Sequence, residues 1–434
     1  MTRIYMKALL LVAAVASPAA AQGTRGIEDF QAAGIHVIYK PVTANDVIAV
    51  QLFLKGGSTA LSPSTQGIEN LLVNTMTLGT RKYSKDQFDS KSTETGTEVG
   101  GVAGNAFTTF TLRAVRQHWT EAWDLFAEAV THPVFPAEEV KLAREQLVSG
   151  LSQRPDDPDT YLNLLSDSVI FAAHPYRLDP LGTPATMAKF TRDDLVKWHK
   201  RRLTKENLVI VAVGNLSREE LTARIIAAFG DLPAKGGAGT PVPVLAAAKP
   251  SVTVVQRDLP TNYIQGLYVA PPRMSGDYAA MQLATLLLSD QLFEEVRTKR
   301  NLTYAVGAGY RAGIVGRGTL YVTAVEPETT LKVIMSEVRR MQKERVPAER
   351  LQETLNEYIT SYWSGQQTDA NQAAQLGTWE IAGGGWKNAL AMVDRIKAVT
   401  PADVQRVANT YMKNVRFVVI GDPKKIDRKL FTSM

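Results

Sequence analysis

Residues 191–215 read TRDDLVKWHKRRLTKENLVIVAVGN, and residues 400–422 read TPADVQRVANTYMKNVRFVVIGD. Each is a capped helix, a short turn and then an apolar run that ends in glycine, Gly214 or Gly421, and reads as a buried strand. One order of elements written twice in a chain marks an internal repeat. A second echo lies upstream of each copy. TFTLRAV (residues 109–115) reads as a strand and is followed by a helical pattern, after which PAEEVKLAREQL starts another helix at Pro136. TLYVTAV (residues 319–325) is followed in the same way, with PAERLQETLNEY starting at Pro347. Proline in the first turn with acids behind it suits the dipole at a helix start.

Each half is therefore strand, helix, helix, helix, strand, and further strands fit residues 35–39, 47–54, 252–255 and 263–269. The expected fold is α+β: two duplicated domains, each a mainly antiparallel sheet with amphipathic helices packed on one face. A chain of 434 residues has room for roughly two to four domains. The clearest break is LPAKGGAGTPVPVLAAAKP, where Gly, Pro and Ala replace any apolar period. Residues 232–250 are thus expected to link a domain over 22–231 to one over 251–434.

The first residues carry Arg3 and Lys7, an apolar run over 8–16, and Ala19, Ala20 and Ala21 ahead of Gln22. That pattern is a secretory signal peptide over residues 1–21. The run is well short of the roughly 20 residues that a membrane-spanning helix needs, and nothing later approaches that length, so no span is expected. There is no cysteine, which excludes a disulfide framework, thiolate metal ligands and a cysteine nucleophile. Export without disulfides implies a periplasmic or secreted protein. With 45% hydrophobic and 21% charged residues the chain is globular in composition, and a net charge of +6 that includes Arg3 and Lys7 is too mild for nucleic-acid binding.

Catalytic zinc requires imidazole, thiolate or carboxylate donors on one face, commonly at i and i+4 of a helix. The five histidines, His36, His118, His132, His174 and His199, have no such spacing among them. His174 precedes a proline and suits packing or hydrogen bonding, while His118 and His199 suit surface or capping positions. No G-x-S-x-G elbow supports a serine hydrolase. GTEVGGVAGN (residues 96–105) lacks the lysine of a P-loop and precedes a strand, so it reads as a flexible turn. GGGW (residues 383–386) reads as a loop between helices, lining an inner cavity.

Four segments carry a family resemblance: GGSTALSPSTQGIENLLVNTMTLGT (residues 56–80), FPAEEVKLAREQLVSGLSQRPDDP (135–158), HPYRLDPLGT (174–183) and LFEEVRTKRNLTYAV (292–306). With them the chain resembles, over nearly its whole mature length, the pitrilysin/insulinase family of zinc metallopeptidases, in the branch that includes mitochondrial processing peptidase. The resemblance implies two domains arranged as half of a clam-shell. In that family the first segment holds H-x-x-E-H, whose histidines bind zinc and whose glutamate is the base, and a distal glutamate completes the ligand set. Gly67, Gly79 and Thr80 place those positions on Asn70, Val73 and Asn74, and the DDP at Asp156 to Pro158 places the distal one on Gly150 or beside it at Ser149. An amide is a poor zinc donor and valine neither ligates nor takes a proton, so no cofactor is expected in this chain.

The resemblance also implies what is retained. Arg297 and Tyr304, in RTKRNLTY, match the family's R-x-x-x-G-L-x-Y, whose arginine and tyrosine hold the substrate backbone and help stabilise the oxyanion. Asn301 replaces the family glycine and tolerates left-handed backbone. The bland reading pairs Arg297 with Glu294 and packs Tyr304 in a strand. The expectation is a non-catalytic subunit that grips extended peptide for a homologous H-x-x-E-H partner, which holds the zinc. The rivals are a scaffold comparable to the core subunits of the respiratory cytochrome complex, and a peptide-binding protein acting alone.

Overall fold

The computed structural model describes residues 26–433. The signal peptide over 1–21 and the mature start at Gln22 lie outside the described residues. The first half contains strands β1 (Glu28–Ala32), β2 (Ile35–Pro41), β3 (Val47–Lys55), β4 (Glu98–Ala103), β5 (Phe107–Val115) and β6 (Leu208–Gly214). Its helices are α1 (Ile68–Thr75), α2 (Lys85–Thr95), α3 (Trp119–Thr131), α4 (Ala137–Gln153), α5 (Pro158–Ile170), α6 (Pro184–Met187), α7 (Arg192–Arg202) and α8 (Arg218–Phe229). The second half contains β7 (Ser251–Gln256), β8 (Asn262–Ala270), β9 (Val306–Ala312), β10 (Gly316–Ala324) and β11 (Arg416–Gly421). Its helices are α9 (Tyr278–Leu292), α10 (Pro327–Lys343), α11 (Ala348–Ser364), α12 (Asp369–Ala382), α13 (Lys387–Leu390), α14 (Met392–Lys397), α15 (Pro401–Tyr411) and α16 (Arg428–Thr432).

The sheets run β1-β2-β6-β3-β5-β4 and β7-β11-β8-β10-β9. Apart from β1 they match strand for strand: β2 pairs parallel with β6 as β7 does with β11, and every other pairing is antiparallel. The α+β duplication expected from the repeats is therefore present. Threonine caps start the repeated helices α7 and α15, with Asp194 and Asp403 returning the bond in a capping box. The strands that follow, LVIVAVG and RFVVIG, are covered on both faces, which is why they read as unbroken apolar runs.

The expectation of helices on one face needs correction. The second face of each sheet is covered by a helix from the opposite half. Helix α12 packs on β3 and β6, and α5 packs on β8 and β11. Ala373, Leu376 and Trp386 thus share a core with Ile38, Phe53, Val209, Val211 and Val213. Leu162 and Ile170 share another with Leu267, Val418 and Ile420. Gly377 makes the first contact possible, because a Cβ there would lie 2.1 Å from the Phe53 ring. Each buried Leu, Ile or Phe contributes about 1.5–3 kcal/mol, so this exchange of helices binds the halves firmly.

Two loops were also read differently. Residues 96–105 are not a free turn: they contain edge strand β4, whose Gly101 admits α1, since a Cβ there would meet Val73 Cγ1 at 2.9 Å. Trp386 of the GGGW loop does not line a cavity; it is 3% exposed and its indole N–H donates to Asp29 at 2.9 Å. Residues 232–250 hold no helix or strand, yet they are strapped down. His174 accepts from the Tyr176 N–H at Nδ1 and donates from Nε2 to the Pro243 carbonyl at 3.0 Å. Among the described residues no helix is long and apolar enough to cross a membrane.

Candidate functional site

Helix α1 carries Asn70, Val73 and Asn74, which the sequence resemblance aligns with metal positions, and it packs against both α4 and β4. Asn70 is 8% exposed and its amide N–H donates to the Leu181 carbonyl at 3.1 Å. Asn74, one helical turn on, donates to Asn70 Oδ1 at 3.1 Å and to the Asn70 carbonyl at 2.8 Å. The two positions thus share a face, as i and i+4 must, but the amides bond to each other and to backbone. Val73 is buried against Gly101. Gly150 and Ser149 are exposed on α4, where Ser149 accepts only from Gln153 at 3.2 Å. This donor set does not fit zinc: it offers no imidazole, thiolate or carboxylate. Nor, among the described residues, do any three His, Cys, Asp or Glu side chains converge elsewhere in a way that could hold a metal.

The sequence reading missed what holds α1 in place. Glu69, 3% exposed, accepts from Arg202 Nε at 3.1 Å, from the Trp198 indole N–H at 3.3 Å and from the Thr108 hydroxyl. Arg202 in turn donates to the carbonyls of Lys55 and Gly237. Every charged atom is matched, as a buried ion pair requires. The network ties α1 to α7, β5 and the strap. The one charged residue of α1 is the only sequence signal for it. His199 is likewise no surface or capping residue: it is wedged against α3, with Nε2 2.7 Å from the Val130 carbonyl, and burial holds its pKa below the ordinary value.

Arg297 and Tyr304 flank the start of β9, the open edge of the second sheet. Helix α9 runs on into a π-helical turn, Phe293–Thr298, which carries Arg297; such turns are uncommon and often mark functional positions. The guanidinium lies over the Tyr304 ring at 4.3 Å and over the Phe293 ring at 4.8 Å. Pairing with Glu294, the bland alternative, is not what forms: Glu294 bonds Lys299 at 2.9 Å. Glu295 takes Lys299 at 2.7 Å and Arg300 at 2.6 Å, and those bonds hold its pKa down to about 2. The neighbouring acids are thereby occupied, and Arg297 has no ion-pair partner among the described residues.

Tyr304 is not packed in a strand either; it is 80% exposed. It projects because its loop is pinned on both sides. Asn301 adopts φ 50°, the left-handed conformation that its replacement of glycine requires, and its N–H bonds the Arg297 carbonyl at 3.0 Å. The Thr303 hydroxyl bonds the Thr323 carbonyl, and the Thr323 N–H bonds Ala305 O at 3.0 Å. Phe293, 47% exposed, completes the stack and was not expected from the sequence. In the first half, β4 is the equivalent open edge and α1 packs on it as α9 packs on β9, so Asn70, Val73 and Asn74 sit beside the first sheet's edge much as the Arg297–Tyr304 pair sits beside the second's.

Comparison with known proteins bears on what such a chain is. A family model described as "Insulinase (Peptidase family M16)" matches residues 36–175, and one described as "Peptidase M16 inactive domain" matches residues 189–358. A protein of Rickettsia bellii described as an uncharacterized zinc protease is 22% identical over 386 residues, covering 86% of this chain and 92% of that one. The crystal structure of a peptidase M16 inactive domain from Pseudomonas fluorescens superposes with a TM-score of 0.82 at 21% identity, covering 91% of this chain and 97% of that chain. A protease from Helicobacter pylori gives 0.84 at 17% identity, covering 91% and 99%. Asn70, Val73, Asn74 and Gly150 offer no zinc-ligand set in this structure, and the chain belongs to the insulinase, or M16, peptidase family.

Proposed function

We propose that this chain is the non-catalytic subunit of an exported heterodimeric zinc peptidase, binding extended peptide and presenting Arg297 and Tyr304 to a homologous partner that carries H-x-x-E-H. One observation carries the reading: an arginine without an acidic partner, stacked on an 80% exposed tyrosine beside an open sheet edge, in a chain whose own α1 and α4 offer no ligand set.

The residues have the right chemistry for that task. The free edges of β4 and β9 offer backbone N–H and C=O groups to an extended peptide, which gives sequence-tolerant affinity. Arg297 donates to a substrate carbonyl in a fixed direction, because two rings hold its plane. The Tyr304 hydroxyl donates to an oxygen that gains charge as the carbonyl is attacked. The partner's zinc would supply the activated water.

The test is reconstitution. The chain is mixed with an exported homologue bearing intact H-x-x-E-H, and cleavage of an extended peptide is followed. Cleavage should require both chains, and Arg297→Ala or Tyr304→Phe should lower kcat by about a hundredfold, the usual scale for one lost oxyanion donor. Unchanged turnover in both variants removes the mechanism. A self-sufficient homodimer that binds peptide without any partner would favour the scaffold or peptide-binding reading.

A further inference from the structure

Between α1 and α7 lies a cavity of about 430 Å³ that the degenerate metal site does not use. Its floor is apolar: Ile68, Phe190 and Trp198 line it, and each is 4% exposed or less. Its walls are cationic. Lys189, Lys197 and Arg201 line it and are exposed, and among the described residues none of the three side chains has an ion-pair or hydrogen-bond partner. Arg201 rests only on the Trp198 ring, at 4.3 Å. The one acid in the lining, Asp194, is committed to the helix cap, accepting from the Thr191 N–H at 2.9 Å and hydroxyl at 2.8 Å. A larger cavity between α2 and α3 also has basic walls, but there Lys82 bonds Asp124, Arg81 bonds Glu128 and Arg224 bonds Glu220, which among the described residues leaves Lys91 alone without an acid.

Unmatched cations over a desolvated apolar floor suit an anion that carries an apolar group next to its charge. We infer that this cavity binds the C-terminal carboxylate of a peptide whose last residue is apolar. Lys189, Lys197 and Arg201 face the carboxylate, and the terminal side chain covers Ile68, Phe190 and Trp198. The volume suits one or two residues. A bare inorganic anion would leave the floor wet, and three residues of floor are too few for an acyl chain. The cavity adjoins α1, because Trp198 bonds Glu69, so it would anchor one end of a peptide near the site already described.

This deepens the peptide-binding part of the proposed function and rests on it for the choice of a peptide. Binding is measured on the single full chain without a partner, so its failure leaves the heterodimer reading standing, and loss of the heterodimer leaves this one standing. Calorimetric titrations compare N-acetyl-alanyl-leucine as free acid, the same dipeptide as C-terminal amide, and inorganic phosphate. The free acid should bind saturably and at least about tenfold tighter than the amide or phosphate, as charge-assisted bonds require. The double variant Lys197→Gln/Arg201→Gln changes only exposed side chains; it should keep the wild-type melting temperature and bind the acid about tenfold more weakly. Equal binding of acid and amide, no binding of either, undiminished binding by the double variant, or phosphate matching the acid would each overturn the assignment.

Discussion

The Arg297 guanidinium carbon lies 4.3 Å from the centre of the Tyr304 ring, on a loop where both residues could have been satisfied elsewhere. Nothing in the core requires the contact: Tyr304 is 80% exposed and the nearby acids are bonded to Lys299 and Arg300. An exposed cation–π pair contributes about 0.5–1 kcal/mol. Arg297→Ala should therefore shift chemical denaturation by no more than about 1 kcal/mol per ring contacted, while lowering kcat for peptide cleavage in the reconstituted complex by about a hundredfold. A loss of stability well beyond that range would make the pair structural.

The pair formed by Glu69 and Arg202 should behave in the opposite way. Both are almost fully buried, at 3% and 1% exposure, and each satisfies the other. Removing one partner strands a buried charge and costs about 3–5 kcal/mol, whereas replacing both with apolar residues of similar volume is close to neutral. Glu69→Leu and Arg202→Met should each lower the melting temperature markedly, and the double variant should lose less than the sum of the two, with a residual loss from the Lys55 and Gly237 carbonyls and the Trp198 N–H left without these partners. Additive losses would show that the ion pair itself is not the coupling.

These two pairs also mark how far the sequence could be read. The duplicated strands and helix starts were legible because local period and capping chemistry determine them, as in α7 and α15. The α1 segment and the Arg297–Tyr304 run were legible as candidates. Contacts between distant segments were not. Helices α5 and α12 carry no local sign that each covers the other half's sheet. Strand β4 was hidden because Gly100 and Gly101 weaken the pattern that betrays a strand, although Gly101 is what admits α1. Sequence proximity left Glu294 open as an alternative partner for Arg297, and only the π-helical turn, which brings the guanidinium over Phe293 and Tyr304, decides against it.

The contact between the halves should depend on pH through His36. Its Nε2 is 2.7 Å from Asp29 and its Nδ1 3.4 Å from Glu380, one acid in each half. The bond to Glu380 raises the His36 pKa above the ordinary 6.5, and the bond to Asp29 adds to this against the effect of burial. His36 lowers the Glu380 pKa; burial alone would raise that of Asp29, but bonds from Trp386 and His36 bring it below the ordinary value. A raised histidine stabilises fully below its unfolded value and stops doing so as pH rises through the folded one. The lowered carboxylates stabilise above their ordinary range and fail only in stronger acid. The melting temperature should thus decline from about pH 6 to about pH 8 in the natural chain and stay flatter in His36→Gln. Parallel curves for the two proteins would remove the histidine from the account.

If the metal site was lost only through its side chains, it should be recoverable. Asn70 and Asn74 already share a helical face, as their 3.1 Å bond requires, and α4 lies across α1. A Cβ at Gly150 would meet nothing within 4 Å, so a glutamate can enter without displacing a neighbour. Asn70→His, Val73→Glu, Asn74→His and Gly150→Glu together place two imidazoles and a distal carboxylate around one point and leave an open position. The fourfold variant should retain about one zinc per chain after dialysis, measured by atomic emission, and the same variant without Gly150→Glu should bind at least about tenfold more weakly. The cost has two parts: Asn70 gives up its bond to Leu181 O, worth about 1 kcal/mol, and Val73→Glu sets a carboxylate where a buried valine packs on Gly101, a cost that bound metal would offset. A fourfold variant that melts normally yet holds no zinc would mean that α1 and α4 do not stand in register, and the assignment of Asn70, Val73, Asn74 and Gly150 as the vacated metal positions would fall with it.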